Sequence, residues 1–202
     1  VANLCSIVMD KSRLVESHPF EPFLPQHAKV LMLGSFPPPE KRWSMRFYYP
    51  NRTNDMWRIM GLVFYGNKER FLRPGGYAEA EIREFAERRG IAMYDAAVRV
   101  VRLQGNASDK FLEVVEPLDV VGMLSQLPEC RTVVTAGEKS ASIVASQTGT
   151  KVPATGESVE FECHGRVYTH VRMVSSSRAY PLAVEKKAEQ YGRMFRKIGL
   201  LE

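Results

Sequence analysis

Apolar residues along this chain switch between two periods. KVLMLGS at 29–35, IAMY at 91–94 and RTVVTAG at 131–137 are short runs apolar on both faces, which suits the interior of a parallel sheet covered by helices. Between them the spacing is helical. NDMWRIMGLVFYG at 54–66 has Thr53 or Asn54 to cap its start and Gly66 to end it. AEAEIREFAERRG at 78–90 places Ile82, Phe85 and Ala86 on one face and stops at Gly90. PLDVVGMLSQLP, EKSASIVASQTG and PLAVEKKAEQYGRMFRKIG read as further helices, and SVEFECHG with RVYTHVRMVSS as a hairpin. Strands alternating with helices predict a three-layer α/β/α sandwich with a central, largely parallel sheet. Residues 1–202 show no repeat, low-complexity tract or linker, so a single domain is expected.

In such a sheet ligands bind beyond the carboxyl ends of the strands. Three loops fall there, and each has an unusual composition. After Leu33 the chain passes three prolines into Trp43, Phe47, Tyr48, Tyr49, Asn51 and Asn54; after Tyr94 come Asp95, Asn106, Ser108 and Asp109; after Val174 comes SSSRAYP, residues 175–181. Aromatic faces beside amides suit a planar heterocycle, stacked on a ring while Asn or Asp reads its edge. A serine-rich loop with Arg178 suits phosphates. Each feature also has a plain structural use: the rings as packing, Asn54 as a helix cap, Asp95 and the serines as turn residues. Their convergence at three strand ends favours a pocket.

Composition narrows the partners. With 28 Lys+Arg against 23 Asp+Glu the chain carries +5, a mild bias toward polyanions such as nucleic acid. Cys5, Cys130 and Cys163 are far apart and read as reduced thiols, and Cys163 beside His164 reads as a strand cysteine next to a turn histidine rather than part of a zinc site. No metal or organic cofactor is expected. The opening VANLCSIVMDKSRLVESHPF has no apolar core of signal length, and no run approaches ~18 apolar residues, so the expectation is a cytoplasmic protein with no membrane partner. A monomer is expected.

The order of motifs resembles that of the uracil-DNA glycosylase superfamily, closest to the branch of mismatch-specific uracil and hypoxanthine (deoxyinosine) DNA glycosylases. The resemblance rests on VLMLGSFPPP, FYYPNRTNDMWRIMG, GIAMYDAAVRVVRLQGNASDKF, TVVTAGEKSA and VRMVSSSRAYPLAVEKKAEQY, in family order across residues 29–191. In that superfamily the first strand-end loop carries a water-activating Asp or Asn before a proline, in patterns such as GQDP or GINP. Here GSFP puts Phe36 there, and a phenyl ring cannot polarise water. The hypoxanthine branch, which shows a similar lack, carries an Asn in a pattern resembling YYAHPxNxFW. Aligning YYPNRTNDMW to it places Asn54 on that residue and Tyr48 and Tyr49 on the aromatic pair. The resemblance therefore implies Asn54 as the catalytic residue, ahead of Asp55 and Asn51.

Asp95 stands where some relatives carry an Asn that reads the pyrimidine edge; an ionised carboxylate accepts hydrogen bonds and donates none. VSSSRAYP replaces a loop resembling HPSPLS, and its His is missing. What the resemblance implies is a monofunctional DNA glycosylase acting on DNA with a damaged or mismatched base. The flipped base would stack on Phe36 or on one of Phe47, Tyr48 and Tyr49, with backbone N–H groups near Gly34 and Ser35 stabilising the leaving base. Ser175, Ser176 and Ser177 would grip phosphate, and Arg178 or Tyr180 would wedge into the duplex. Two other readings stay open: a non-catalytic nucleic-acid-binding protein of the same fold, and an enzyme cleaving free nucleosides or nucleotides.

Overall fold

The computed structural model describes residues 14–104 and 108–202. Cys5 and Asn106 lie outside them. The strands are β1 (Val15–Ser17), β2 (Val30–Gly34), β3 (Leu72–Arg73), β4 (Gly76–Tyr77), β5 (Ile91–Asp95), β6 (Ala97–Arg102), β7 (Leu112–Pro117), β8 (Thr132–Ala136), β9 (Ser158–Cys163) and β10 (Arg166–Met173). The helices are α1 (Met56–Tyr65), α2 (Glu79–Arg89), α3 (Val120–Ser125), α4 (Glu138–Thr148) and α5 (Val184–Lys197).

The central sheet has the order β5-β2-β8-β10-β9, with the first four strands parallel and β9 antiparallel at the edge. Every residue of β2 and β5 is buried, as a doubly covered sheet demands. On one side α1 lies against α5, and Phe64 touches both Phe85 of α2 and Phe195 of α5 at 5.1 Å between ring centroids. On the other side α3 and α4 pack together and α4 meets β8, β9 and β10. The predicted three-layer arrangement with a largely parallel sheet is the observed one.

Gly66 and Gly90 end α1 and α2 in the left-handed region, at φ 65° and 66°, where a side chain would be strained. The start of α1 is shifted: Asp55 occupies the cap position but its side chain bonds no helix N–H, while Asn54 Oδ1 accepts from the Met56 N–H at 2.9 Å.

A second sheet, β1-β6-β7, was not predicted. After Asp95 the chain does not continue the buried strand; β6 turns into an antiparallel ladder with β1 and β7, interrupted by register shifts around Arg99. LEVVEP at 112–117 has too short an alternation to announce a strand, and its partner β6 ends at Arg102. This sheet carries His18 toward the end of β5. Cys163 sits at the end of β9 beside the turn residue His164, as expected, and burial pushes the Cys130 thiol up to about 11.

His170 on β10 is fully buried, with Nε2 3.0 Å from Thr135 Oγ1, and burial pushes its pKa down from 6.5 to about 4. The unfolded chain takes up this proton before the folded one does. Stability is therefore full above pH 6.5 and falls as pH drops toward 4, by about 3 kcal/mol from this residue. Urea unfolding across that window should show the slope in the native protein and a shallower one in His170→Phe; equal slopes would rule His170 out as its source.

Candidate active site

The carboxyl ends of β2, β5, β8 and β10 share one edge of the sheet, with Gly34 paired in register to Asp95. Above them lies a cleft of about 780 Å³, within the size range of small-molecule sites. All three strand-end loops contribute to it.

Its floor is Gly34, Ser35, Phe36 and Asp95. A Cβ on Gly34 would come within 2.2 Å of Asp95 Oδ1, so glycine is what lets the carboxylate lie across the strand end. The other oxygen, Oδ2, is held by His18 Nε2 at 2.9 Å. The His18 side chain is 1% exposed, 4.4 Å from the Tyr94 ring and 5.3 Å edge-on from Phe36. Facing a carboxylate, Nε2 carries the hydrogen and donates, and Oδ1 remains an acceptor toward the cleft. Beside it Ser35 Oγ donates to Asp109 Oδ2 at 2.7 Å. Burial raises the Asp109 pKa, with the Ser35 bond opposing the shift.

The aromatic wall is Phe36, Tyr48 and Tyr49. Tyr48 is pinned at both ends: its hydroxyl donates to the Glu21 carbonyl at 2.7 Å, and its own carbonyl accepts from Trp57 Nε1 at 3.0 Å. Burial raises the pKa of both tyrosines well above the usual phenol value, so both stay neutral. Tyr49 has φ 52°, a strained setting for a large side chain that directs its ring beside Gly34. Phe47 corrects the expectation of a stacking ring. It is 2% exposed, stands edge-on to Phe23 and stacks with Trp57 under the Arg83 guanidinium, and it does not line the cleft. Successive side chains of FYY cannot all face the cleft, and this one goes to the core.

Asn54 lines the cleft and its amide is fixed by the Met56 N–H, leaving a second lone pair on Oδ1. Its neighbour Asp55 is a second correction: 5% exposed and absent from the cleft wall, its carboxylate meets Arg178 Nε at 3.0 Å and Lys187 Nζ at 3.2 Å. A carboxylate off the cleft wall and held by Arg178 and Lys187, with Arg58 at 3.9 Å, does not reach a substrate in the cleft. Asn51 lines the cleft but spends its Oδ1 on the Thr53 N–H and hydroxyl.

Ser175, Ser176, Ser177, Arg178 and Tyr180 all line the cleft. The Asp55 N–H donates to the Ser176 carbonyl at 2.8 Å, the Arg178 N–H to the Thr53 carbonyl at 3.2 Å, and Lys187 Nζ to the Ser177 carbonyl at 2.8 Å. This stitches the last loop to the start of α1. Arg178, read as facing DNA, thus also serves as a strap, while Tyr180 is 37% exposed at the rim. Arg42 and Arg178 at the rim stand over a floor with two carboxylates, a polarity that suits a phosphate backbone outside and donor-bearing groups inside.

Sequence reasoning missed Phe20 and Arg42 on the cleft lining and, behind it, His18 and Lys187. His18 carries no spacing signal, being 77 residues from its partner. Lys187 is fully buried, and it did have a signal: with Val184, Ala188 and Tyr191 it occupies the apolar stripe of α5. Among the described residues no three His, Cys, Asp or Glu side chains form a group able to hold a metal ion.

A doubly wound α/β sheet with its cleft at the carboxyl strand ends is the class of protein that fold and site define. No protein-family model matches the chain, and the curated proteins include no match to it. Among solved structures it is similar to the solution NMR structure of a candidate uracil DNA glycosylase from Methanosarcina acetivorans, with 20% identity, 92% of this chain and 99% of the other covered, and a TM-score of 0.62. At that identity the likeness carries the fold.

Proposed function

We propose that this protein is a DNA glycosylase of base excision repair that flips a deaminated base, of hypoxanthine or uracil type, into the cleft and hydrolyses its N-glycosidic bond. The observation that carries this reading is the Asn54 amide, held by the Met56 N–H in the same cleft as Phe36, Tyr48 and Tyr49. The solved relative's description as a candidate uracil DNA glycosylase supports it.

In this mechanism the base leaves the stack at a cost of a few kcal/mol, least for a mispaired base, and lies against the aromatic wall. Asn54 Oδ1 accepts from a water and aims its oxygen at the anomeric carbon. The C1′–N bond breaks with its electron pair going to the base, the water oxygen bonds to C1′, and the water's proton ends on the departing base. A transition state of oxocarbenium character asks for positioning more than for a strong base, so a neutral amide serves. Backbone N–H groups near Gly34 and Ser35 stabilise the leaving base. Asp95 Oδ1 selects a base edge that offers an N–H, as the lactam edges of hypoxanthine and uracil do.

The test is incubation with end-labelled duplexes containing uracil, hypoxanthine or xanthine, followed by alkaline cleavage of abasic sites. A cleaved band is expected in at least one lane. Asn54→Ala should lower its rate by about 100-fold with duplex affinity nearly unchanged; full activity in that variant would remove Asn54 from the mechanism. Intact strands in every lane, despite a gel shift, would replace this reading with non-catalytic binding, which the Phe36 ring at the strand end favours.

A further inference from the structure

A second concavity, of about 560 Å³, has no part in the cleft chemistry. It starts at Lys29 and Arg131, which precede β2 and β8 at the amino edge of the sheet, and follows β10 along the second half of α5. Its floor is Val171, Met173, Met194 and Ile198, and its rim carries Lys29, Arg131, Arg193 and Lys197 against one carboxylate, Glu129.

Among the described residues none of those four cations forms an ion pair. Arg131 Nη1 donates to the Pro128 and Cys130 carbonyls and its guanidinium lies 5.9 Å from the Tyr168 ring centroid, which fixes the head without a carboxylate to neutralise it. Elsewhere on this surface some arginines do pair with carboxylates, as Arg83 does with Glu79 and Arg46 with Glu40. Four unneutralised cations around an apolar floor form a field that favours an anionic partner with an apolar part.

The lining separates the classes of anion. It holds no aromatic ring, and single-stranded nucleic acid binds by stacking bases on such rings. Two thioethers and two aliphatic side chains instead make an adaptable floor for another protein's side chain. We infer that this groove is a docking site for a short acidic peptide segment carrying an apolar anchor: the anchor enters between Met173 and Met194, and flanking carboxylates meet the cationic rim. It lies along α5 and shares no lining residue with the strand-end cleft.

The test is fluorescence polarisation with a labelled oligo-aspartate peptide ending in paired leucines, the same peptide ending in serines, and an oligothymidylate of similar length. Arg193→Glu combined with Lys197→Glu changes two exposed positions, so folding and duplex processing should be retained. The leucine peptide should bind; the serine ending and the double variant should each weaken it by about tenfold, and salt should weaken it further. Absent binding, or affinity unchanged in the double variant, overturns the proposal. Tighter binding of the oligothymidylate, lost in the double variant, overturns it too and assigns the groove to nucleic acid.

Discussion

Asp55→Ala is expected to lower the unfolding free energy by about 3–5 kcal/mol, the usual cost of leaving a buried charge unpaired. Lys187 is fully buried, and its ammonium has two partners, Asp55 Oδ2 at 3.2 Å and the Ser177 carbonyl at 2.8 Å. With the carboxylate gone, the ammonium is left with one carbonyl dipole as its partner. Lys187→Met should cost less, because Asp55 keeps Arg178 at 3.0 Å and Arg58 at 3.9 Å. Combining Asp55→Leu with Lys187→Met should recover most of the loss, since an apolar pair of similar volume needs no neutralisation. Urea unfolding of the three variants checks the order. Hydrogen exchange should also rise at Asp55 and Arg178, whose N–H groups tie the last loop to the start of α1. A loss under about 1 kcal/mol for Asp55→Ala would place this network among ordinary surface ion pairs.

That network shows where sequence reading stops. Asn54 and Asp55 are adjacent polar residues before a helix, and nothing local separates them; one turns into the cleft and the other into a cation pair supplied from 123 and 132 residues away. The central sheet was legible because VLMLG and IAMY are apolar throughout, a pattern with few other uses. From it followed the common edge of the three loops, and with it Asn54, Phe36, Tyr48, Tyr49 and Asp95. The β1-β6-β7 sheet was not legible, because β1 has three residues and AVRVVR and LEVVEP lack a clean apolar–polar alternation, and His18 was hidden with it. Phe47 was misassigned for a related reason: aromatic density locates a wall, and only packing decides which ring faces in.

Gly34→Ala tests the floor that those pieces build, and it is expected to reduce base excision by about 100-fold, the scale of a misplaced catalytic geometry. The new methyl would stand 2.2 Å from Asp95 Oδ1 and 3.8 Å from the Tyr49 ring. Gly34 lies inside β2 and is not among the positive-φ glycines, so alanine adopts its backbone without strain and the effect is steric. Asp95 cannot yield freely, because Oδ2 is held by a histidine that is itself almost fully buried. Either the His18 bond breaks or β2 shifts at the strand end, and overpacking of this kind costs about 1–3 kcal/mol. Adding Asp95→Ser to Gly34→Ala removes the clashing oxygen and should restore much of the stability. It should not restore the proposed excision, because the acceptor proposed to meet the base edge is gone. Recovery of both together would mean that the methyl acts only through folding, and unimpaired excision by Gly34→Ala alone would mean that the base does not rest on this floor.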